Sequence, residues 1–232
     1  MQNSRIILAA DTMSLRQCEK LIHQCKDNIY AVKIHSLYDM HGPRAIQRLK
    51  QAGAPRVMLD LKIHDTPDTV RRRIKYLADK GTNIITVHAS GGTDMLKAAT
   101  EDGRAEIYGV TILSSFDTEQ TKKIYGIHYV GNQVSILAHY AMRAGLNGII
   151  ASPREVKQLK RQADENTTPA KIIAVGIRST DSQQHDQKRT DTPEQTISDG
   201  ADLIIIGREI TMARDPILAL ESILQKIAVA TP

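Results

Sequence analysis

The sequence predicts a (β/α)8 barrel formed as one domain over residues 1–232. Three observations point there. Eight short apolar runs rich in β-branched residues recur along the chain, separated by segments with helical spacing of apolar residues. The runs are almost continuously apolar, as parallel strands buried on both faces require. A chain of 232 residues with eight alternating units suits a closed barrel. A doubly wound open sheet is the alternative, and it is weakened because no GxGxxG follows the first run.

In order, the predicted strands are "RIILAA" at 5–10, "YAVKI" at 30–34, "RVMLDL" at 56–61 and "NIITVH" at 83–88. "IYGVTIL" at 107–113, "GIIAS" at 148–152, "KIIAV" at 171–175 and "DLIIIG" at 202–207 follow. Helical periodicity links Leu15, Cys18, Leu21, Ile22 and Cys25, then Val134, Leu137, Ala138 and Ala141, then Ile217, Leu220, Leu224 and Ile227. Residues 161–170 and 178–193 read as long polar loops, the second long enough to serve as a mobile lid.

Composition narrows the function classes. Hydrophobic residues make up 41% and charged residues 25%, ordinary for a globular protein with a full core. Aromatics are only 3%, with no Trp and one Phe, so the core must be built from Ile, Leu, Val and Ala. Few rings are then left for stacking on bases, and nucleic acid is not an expected partner. The net charge of +5 suits an enzyme for small anions. The densest basic stretch, "RRRIK" at 71–75, opens a helical pattern and reads as a solvated face. Cys18 and Cys25 fall two helical turns apart, too far for a disulfide, and read as free thiols of a reducing compartment. With no signal peptide or membrane span in the pattern, a cytoplasmic protein without membrane contact is expected.

Barrel enzymes carry their chemistry at the C-terminal ends of the strands. Charged residues occur at just those places: Asp11 after the first strand, Lys33 in the second, Asp60, Lys62 and Asp65 in and after the third, His88 at the end of the fourth. Asp60 and Lys62 are two apart and share a strand face with Met58, while Leu59 and Leu61 point the other way. Burying an ion costs several kcal/mol, and attraction at about 4 Å returns only about 4 kcal/mol at a realistic dielectric. Taken alone, Asp60 and Lys62 could be an exposed, salt-bridged strand end; beside Asp11 and Lys33 they read as catalytic.

"DLKIHDTPDTV" resembles the signature of the orotidine 5′-phosphate decarboxylase family, an Asp-x-Lys-x-x-Asp followed by Pro and a Thr-Val pair. "LAAD", "AVKI", "VHASGG", "GVTILSS", "IIASPRE", "AVGIRS", "DQKRTDTPEQ" and "GADLIIIGREIT" follow the family order over nearly the whole chain. The resemblance implies decarboxylation of orotidine 5′-phosphate to UMP, the last step of de novo pyrimidine synthesis, without metal or organic cofactor, in a homodimer. It implies a catalytic array of Lys33, Asp60 and Lys62, with Asp65 reaching the neighbouring subunit's site and Thr69 helping to hold the partner's ribose. Asp11 matches the residue contacting a ribose hydroxyl. Ser114 matches the residue bonding the pyrimidine edge, although a helix cap is the alternative for it. Gln187, Gly207 and Arg208 match the phosphate contacts. His88 reads as a packed, hydrogen-bonded support.

Met58 separates this reading from the sister enzymes on the same barrel, the 3-keto-gulonate 6-phosphate decarboxylases and hexulose phosphate synthases. Those carry a carboxylate at the corresponding position and use Mg²⁺, which favours oxygen ligands. The chain departs from the family pattern at Thr66, Asp68, Val175, His35 and Ser36. None of these removes a charged member of the array; they bear on the subunit contact and the strand-7 loop. A non-catalytic barrel homologue would be expected to lack at least one of the charged residues.

Overall fold

The computed structural model describes residues 4–165, 170–178 and 189–230. Eight parallel strands close into a barrel in sequence order, β1 beside β8. They are β1 (Ile6–Ala9), β2 (Ala31–Ile34), β3 (Val57–Ile63), β4 (Ile84–His88), β5 (Glu106–Val110), β6 (Gly148–Ala151), β7 (Lys171–Ala174) and β8 (Leu203–Ile206). Each lies within or nearly within its predicted run. The (β/α)8 expectation holds.

Helices cover the outside, and local sequence sets their starts. Ser14 and Gln17 form a reciprocal capping box ahead of the helix Leu15–Cys25, whose buried face is Leu15, Cys18, Leu21, Ile22 and Cys25. Pro43, Pro67 and Pro193 each open a helix, where a missing N–H costs nothing. The thiols of Cys18 and Cys25 are free and buried, and burial raises them to about 12 and about 11. "RRRIK" lies on the helix Pro67–Asp79, where Arg71 pairs with Asp68 and Glu101 and Arg72 with Asp68 on the surface, as a solvated face should.

One expectation is corrected. Residues 161–165 are not loop but the last turn of the helix Pro153–Glu165. Of that turn only Ala163 is buried, so its polar sequence carried no periodic signal. The expected lid falls mostly on 179–188, and Gln187 lies outside the described residues. Described residues on either side of it meet: the Arg178 N–H donates to the Asp191 carbonyl at 2.9 Å, and Ile177 bridges to Asp191.

Two apolar layers result. The inner one fills the barrel with Ile7, Ala31, Met58, Ile84, Tyr108, Ile150, Ile173 and their neighbours. The outer one joins the other strand faces to the helices and contains Leu59 and Ile63, with Leu61 packed against it. The alternation along β3 is therefore the expected one. At the N-terminal end, Tyr108 donates to Glu106 at 2.8 Å, and Glu106 pairs with Arg56 at 2.7 Å. Tyr108 fits because β6 opens on Gly148. A Cβ there would sit 2.1 Å from the Lys171 carbonyl oxygen and 2.6 Å from the Tyr108 ring.

Gly148→Ala is accordingly expected to lower the unfolding free energy by about 1–3 kcal/mol through overpacking against backbone. Urea unfolding measures it, and a wild-type midpoint would show that the strand pair yields freely.

Candidate active site

A cleft of about 710 Å³ opens at the C-terminal ends of the strands. Asp11, Lys33, Asp60 and Lys62 line it from β1 to β3; Arg178, Gly207 and Arg208 line it after β7 and β8; Ser114 and Ser115 sit on the loop after β5. The floor is apolar, with Ala9, Val110, Ile150 and Ile205.

The charges form a chain. Lys33 Nζ lies 2.5 Å from Asp11 Oδ2 and 3.2 Å from Asp60 Oδ2; Lys62 Nζ lies 2.9 Å from the same Asp60 oxygen. Lys33 and Asp60 keep only 7% and 13% of their side-chain surface exposed, against 30% for Lys62. Burial disfavours the Asp60 carboxylate, but Lys33 and Lys62 outweigh it and hold its pKa down at about 2. Burial likewise opposes the Lys33 ammonium, and Asp60 and Asp11 overcome it, so its pKa is raised. Asp11 Oδ1 is buried without a hydrogen-bond partner. A buried acceptor in a cleft wall is well placed for a ligand's hydroxyl.

β3 does not run regularly into this array. Met58 and Leu59 pair with Ile84 and Ile85, whereas Ile63 pairs with Val87, so two extra residues are inserted in β3. Lys62 has φ +46°, and no other non-glycine described residue has a positive φ. Such backbone costs about 1–3 kcal/mol and persists only where the surroundings impose it. Thr86, buried on β4, receives the Lys62 N–H at 2.8 Å and donates its hydroxyl to Asp60 Oδ1 at 3.1 Å.

The remaining expected residues divide. Ser114 lines the cleft and does not cap the next helix; Asp117 does that, in a capping box with Gln120. Gly207 sits where a Cβ would press on Ala9 at 3.3 Å, keeping the backbone close to β1. Asp65 and Thr69 are not part of this chain's own cleft. Asp65 is exposed and accepts the Thr66 N–H at 2.7 Å; Thr69 accepts the Thr66 hydroxyl at 3.0 Å. His88 tilts against His64 at 5.7 Å, and burial, His64 and Lys62 lower its pKa, so it is neutral near pH 7. Among the departures, Val175 lines the cleft, and Ser36 donates to the Asp11 carbonyl at 3.3 Å.

Sequence reasoning missed Thr86, Arg178 and a buried clamp. Arg189 pairs with Glu155 at 2.6 Å and donates to the carbonyls of Ile112, Leu113 and Phe116. It thereby ties the chain at residue 189 to the loop that carries Ser114. The signals were faint: one Thr in the aliphatic run "IITVH", and an Arg in each of "GIR" and "DQKR".

The sign of the pH dependence follows from these shifts. Asp60 is depressed from 3.8 to about 2, so its stabilising contribution is present above about pH 3.8 and fades as pH falls through 2. Lys33 is raised above 10.5, so its contribution holds below that pH and is lost only above it. Carbon-13 NMR of the Asp60 carboxyl should show no titration from pH 8 down to 4; a midpoint above 4 would contradict the ion-pair geometry.

Comparison with known proteins agrees with this geometry. The model of the orotidine 5′-phosphate decarboxylase / HUMPS family matches residues 4–223. Orotidine 5′-phosphate decarboxylase of Streptococcus agalactiae serotype III is 41% identical over 219 residues, covering 90% of this chain and 91% of that protein. That of the Wolbachia of Brugia malayi is 34% identical over 227 residues, 96% of this chain and 99% of the relative. The crystal structure of orotidine 5′-phosphate decarboxylase from Lactobacillus acidophilus superposes with a TM-score of 0.80 at 30% identity, covering 97% of this chain and 99% of that one. With the barrel, the charged strand ends and these matches together, the chain belongs to the orotidine 5′-phosphate decarboxylase / HUMPS family.

Proposed function

We propose that the protein decarboxylates orotidine 5′-phosphate to UMP, closing de novo pyrimidine synthesis in the cytoplasm, with no metal or organic cofactor. The observation that carries this is the Asp11–Lys33–Asp60–Lys62 chain of charges facing a cleft that Arg178, Gly207 and Arg208 also line. The substrate's phosphate belongs at the arginine end, after β7 and β8, and its ring at the Lys62 end. Ser114 bonds the pyrimidine edge, and the orphan Asp11 Oδ1 accepts from a ribose hydroxyl. Gln187 is assigned a phosphate contact by the family match of "DQKR" alone.

The reaction breaks the bond from C6 to the carboxylate. CO₂ leaves and the electron pair stays on C6, in the ring plane, where no π system receives it. The Lys62 ammonium stabilises that pair and then gives it a proton, to be reprotonated from water. Asp60, already ionised, repels the substrate carboxylate. Lys33 keeps Asp60 charged and fixed, so little reorganises as charge develops.

Family membership alone leaves the HUMPS branch open, and Met58 weighs against it. Its thioether is fully buried in the barrel interior, where a carboxylate would be needed to extend an oxygen ligand set. Of the four carboxylate oxygens of Asp60 and Asp11, only Asp11 Oδ1 is unpartnered; the others are engaged by Lys33, Lys62 and Thr86.

Asp65 and Thr69 complete the site of a second copy of the chain in a homodimer. Their place beyond β3 and outside their own cleft, Asp65 exposed and Thr69 half-buried in the first turn of the helix Pro67–Asp79, supports this.

Purified protein in EDTA should consume orotidine 5′-phosphate, followed by its absorbance. Absence of turnover would refute the reading, and turnover only with added Mg²⁺ would favour the HUMPS branch. Lys62→Ala should lose roughly 10⁴-fold or more in kcat, since the proton donor and the stabilising charge go together. In a separate test, mixing inactive Asp65→Ala with inactive Lys62→Ala should restore part of the activity through mixed dimers. No recovery after proven subunit exchange would place Asp65 elsewhere.

A further inference from the structure

Thr86 is buried at 0% exposure, lies between Ile84 and His88 on β4, and is not part of the cleft lining. A residue in that position touches no substrate. Its hydroxyl nonetheless bonds the catalytic strand twice: it accepts the Lys62 N–H at 2.8 Å and donates to Asp60 Oδ1 at 3.1 Å. A hydroxyl can do both at one atom; the isosteric valine can do neither.

The need for such a group comes from the irregularity of β3. Between Leu59↔Ile85 and Ile63↔Val87 the ladder is interrupted, so the backbone of residues 60–62 is not held by regular pairing with β4. The left-handed φ of +46° at Lys62 falls in that gap. A side chain of β4 supplies the missing acceptor. The same oxygen fixes the rotation of the Asp60 carboxyl: with Oδ1 held by Thr86, Oδ2 is turned toward Lys33 at 3.2 Å and Lys62 at 2.9 Å.

We propose that Thr86 is a positioning residue, whose single hydroxyl sets both the backbone of Lys62 and the rotation of the Asp60 carboxylate. It acts through those two residues and not on the ligand. The catalytic consequence rests on the decarboxylase reading; the structural one does not.

Two measurements separate these. With orotidine 5′-phosphate, Thr86→Val should lose about 10²-fold in kcat, the scale of a small misplacement of reacting groups, with KM changed less than threefold. Thr86→Ser, which keeps the hydroxyl, should restore most of it. Should the valine variant not fold, Thr86→Ala carries the same expectation. Independently of activity, hydrogen exchange of the Lys62 amide should be slow in the wild type and in Thr86→Ser, and at least tenfold faster in Thr86→Val or Thr86→Ala. Wild-type kcat in the valine or alanine variant, or an unprotected Lys62 amide in the wild type, would overturn the proposal. A wild-type protein that protects this amide but does not turn over the substrate would refute the decarboxylase reading while leaving the positioning role of Thr86 intact.

Discussion

The site depends on one oxygen shared by two cations. Asp60 Oδ2 receives both Lys33 and Lys62. Neither Asp60 nor Lys33 is stable alone in a barrel mouth, because each buried ion costs several kcal/mol to desolvate. Lys33 and Lys62 hold the Asp60 carboxyl below its usual range, and Asp60 with Asp11 holds Lys33 above its own. The array is thus charged before any ligand arrives. Fixed charges are worth most to a reaction that develops charge, since nothing has to reorient in the transition state.

Holding that geometry shapes the surrounding structure. β2 and β3 place the lysines and Asp60 on the inner face, above an apolar layer that excludes water from below. Two residues added to β3 and the left-handed backbone of Lys62 bring its ammonium onto Asp60. Another buried ion pair holds the loop after β5. Arg189 and Glu155 join the loop after β5 to the start of the helix that follows β6, with three loop carbonyls satisfying the guanidinium. Both devices bury charge, and both surround it with partners.

The elements were legible wherever burial imposes a period. All eight strands showed as apolar runs because parallel strands are covered on both faces. The end of the helix Pro153–Glu165 did not, because an exposed turn has no reason to alternate. Strand 5 stops at Val110, three residues before its apolar run ends; Ile112 stays buried as loop, so the run signalled burial and not pairing. Within the site, Lys33, Asp60 and Lys62 could be found because charge in an apolar strand is anomalous. Thr86 could not, since a threonine is unremarkable in any strand.

The sequence by itself determined the barrel, the inward face of β3 and the types of charge at the strand ends, because those follow from periodicity and from the cost of burying ions. Only the tertiary structure decided which carboxylate oxygen meets which ammonium, that Lys62 takes a left-handed backbone, and that a β4 hydroxyl joins Asp60 to Lys62. These are relations between strands 24 to 27 residues apart in the chain, Lys33 to Asp60 and Lys62 to Thr86. No local pattern encodes them, because register and rotation are fixed by the closed barrel as a whole.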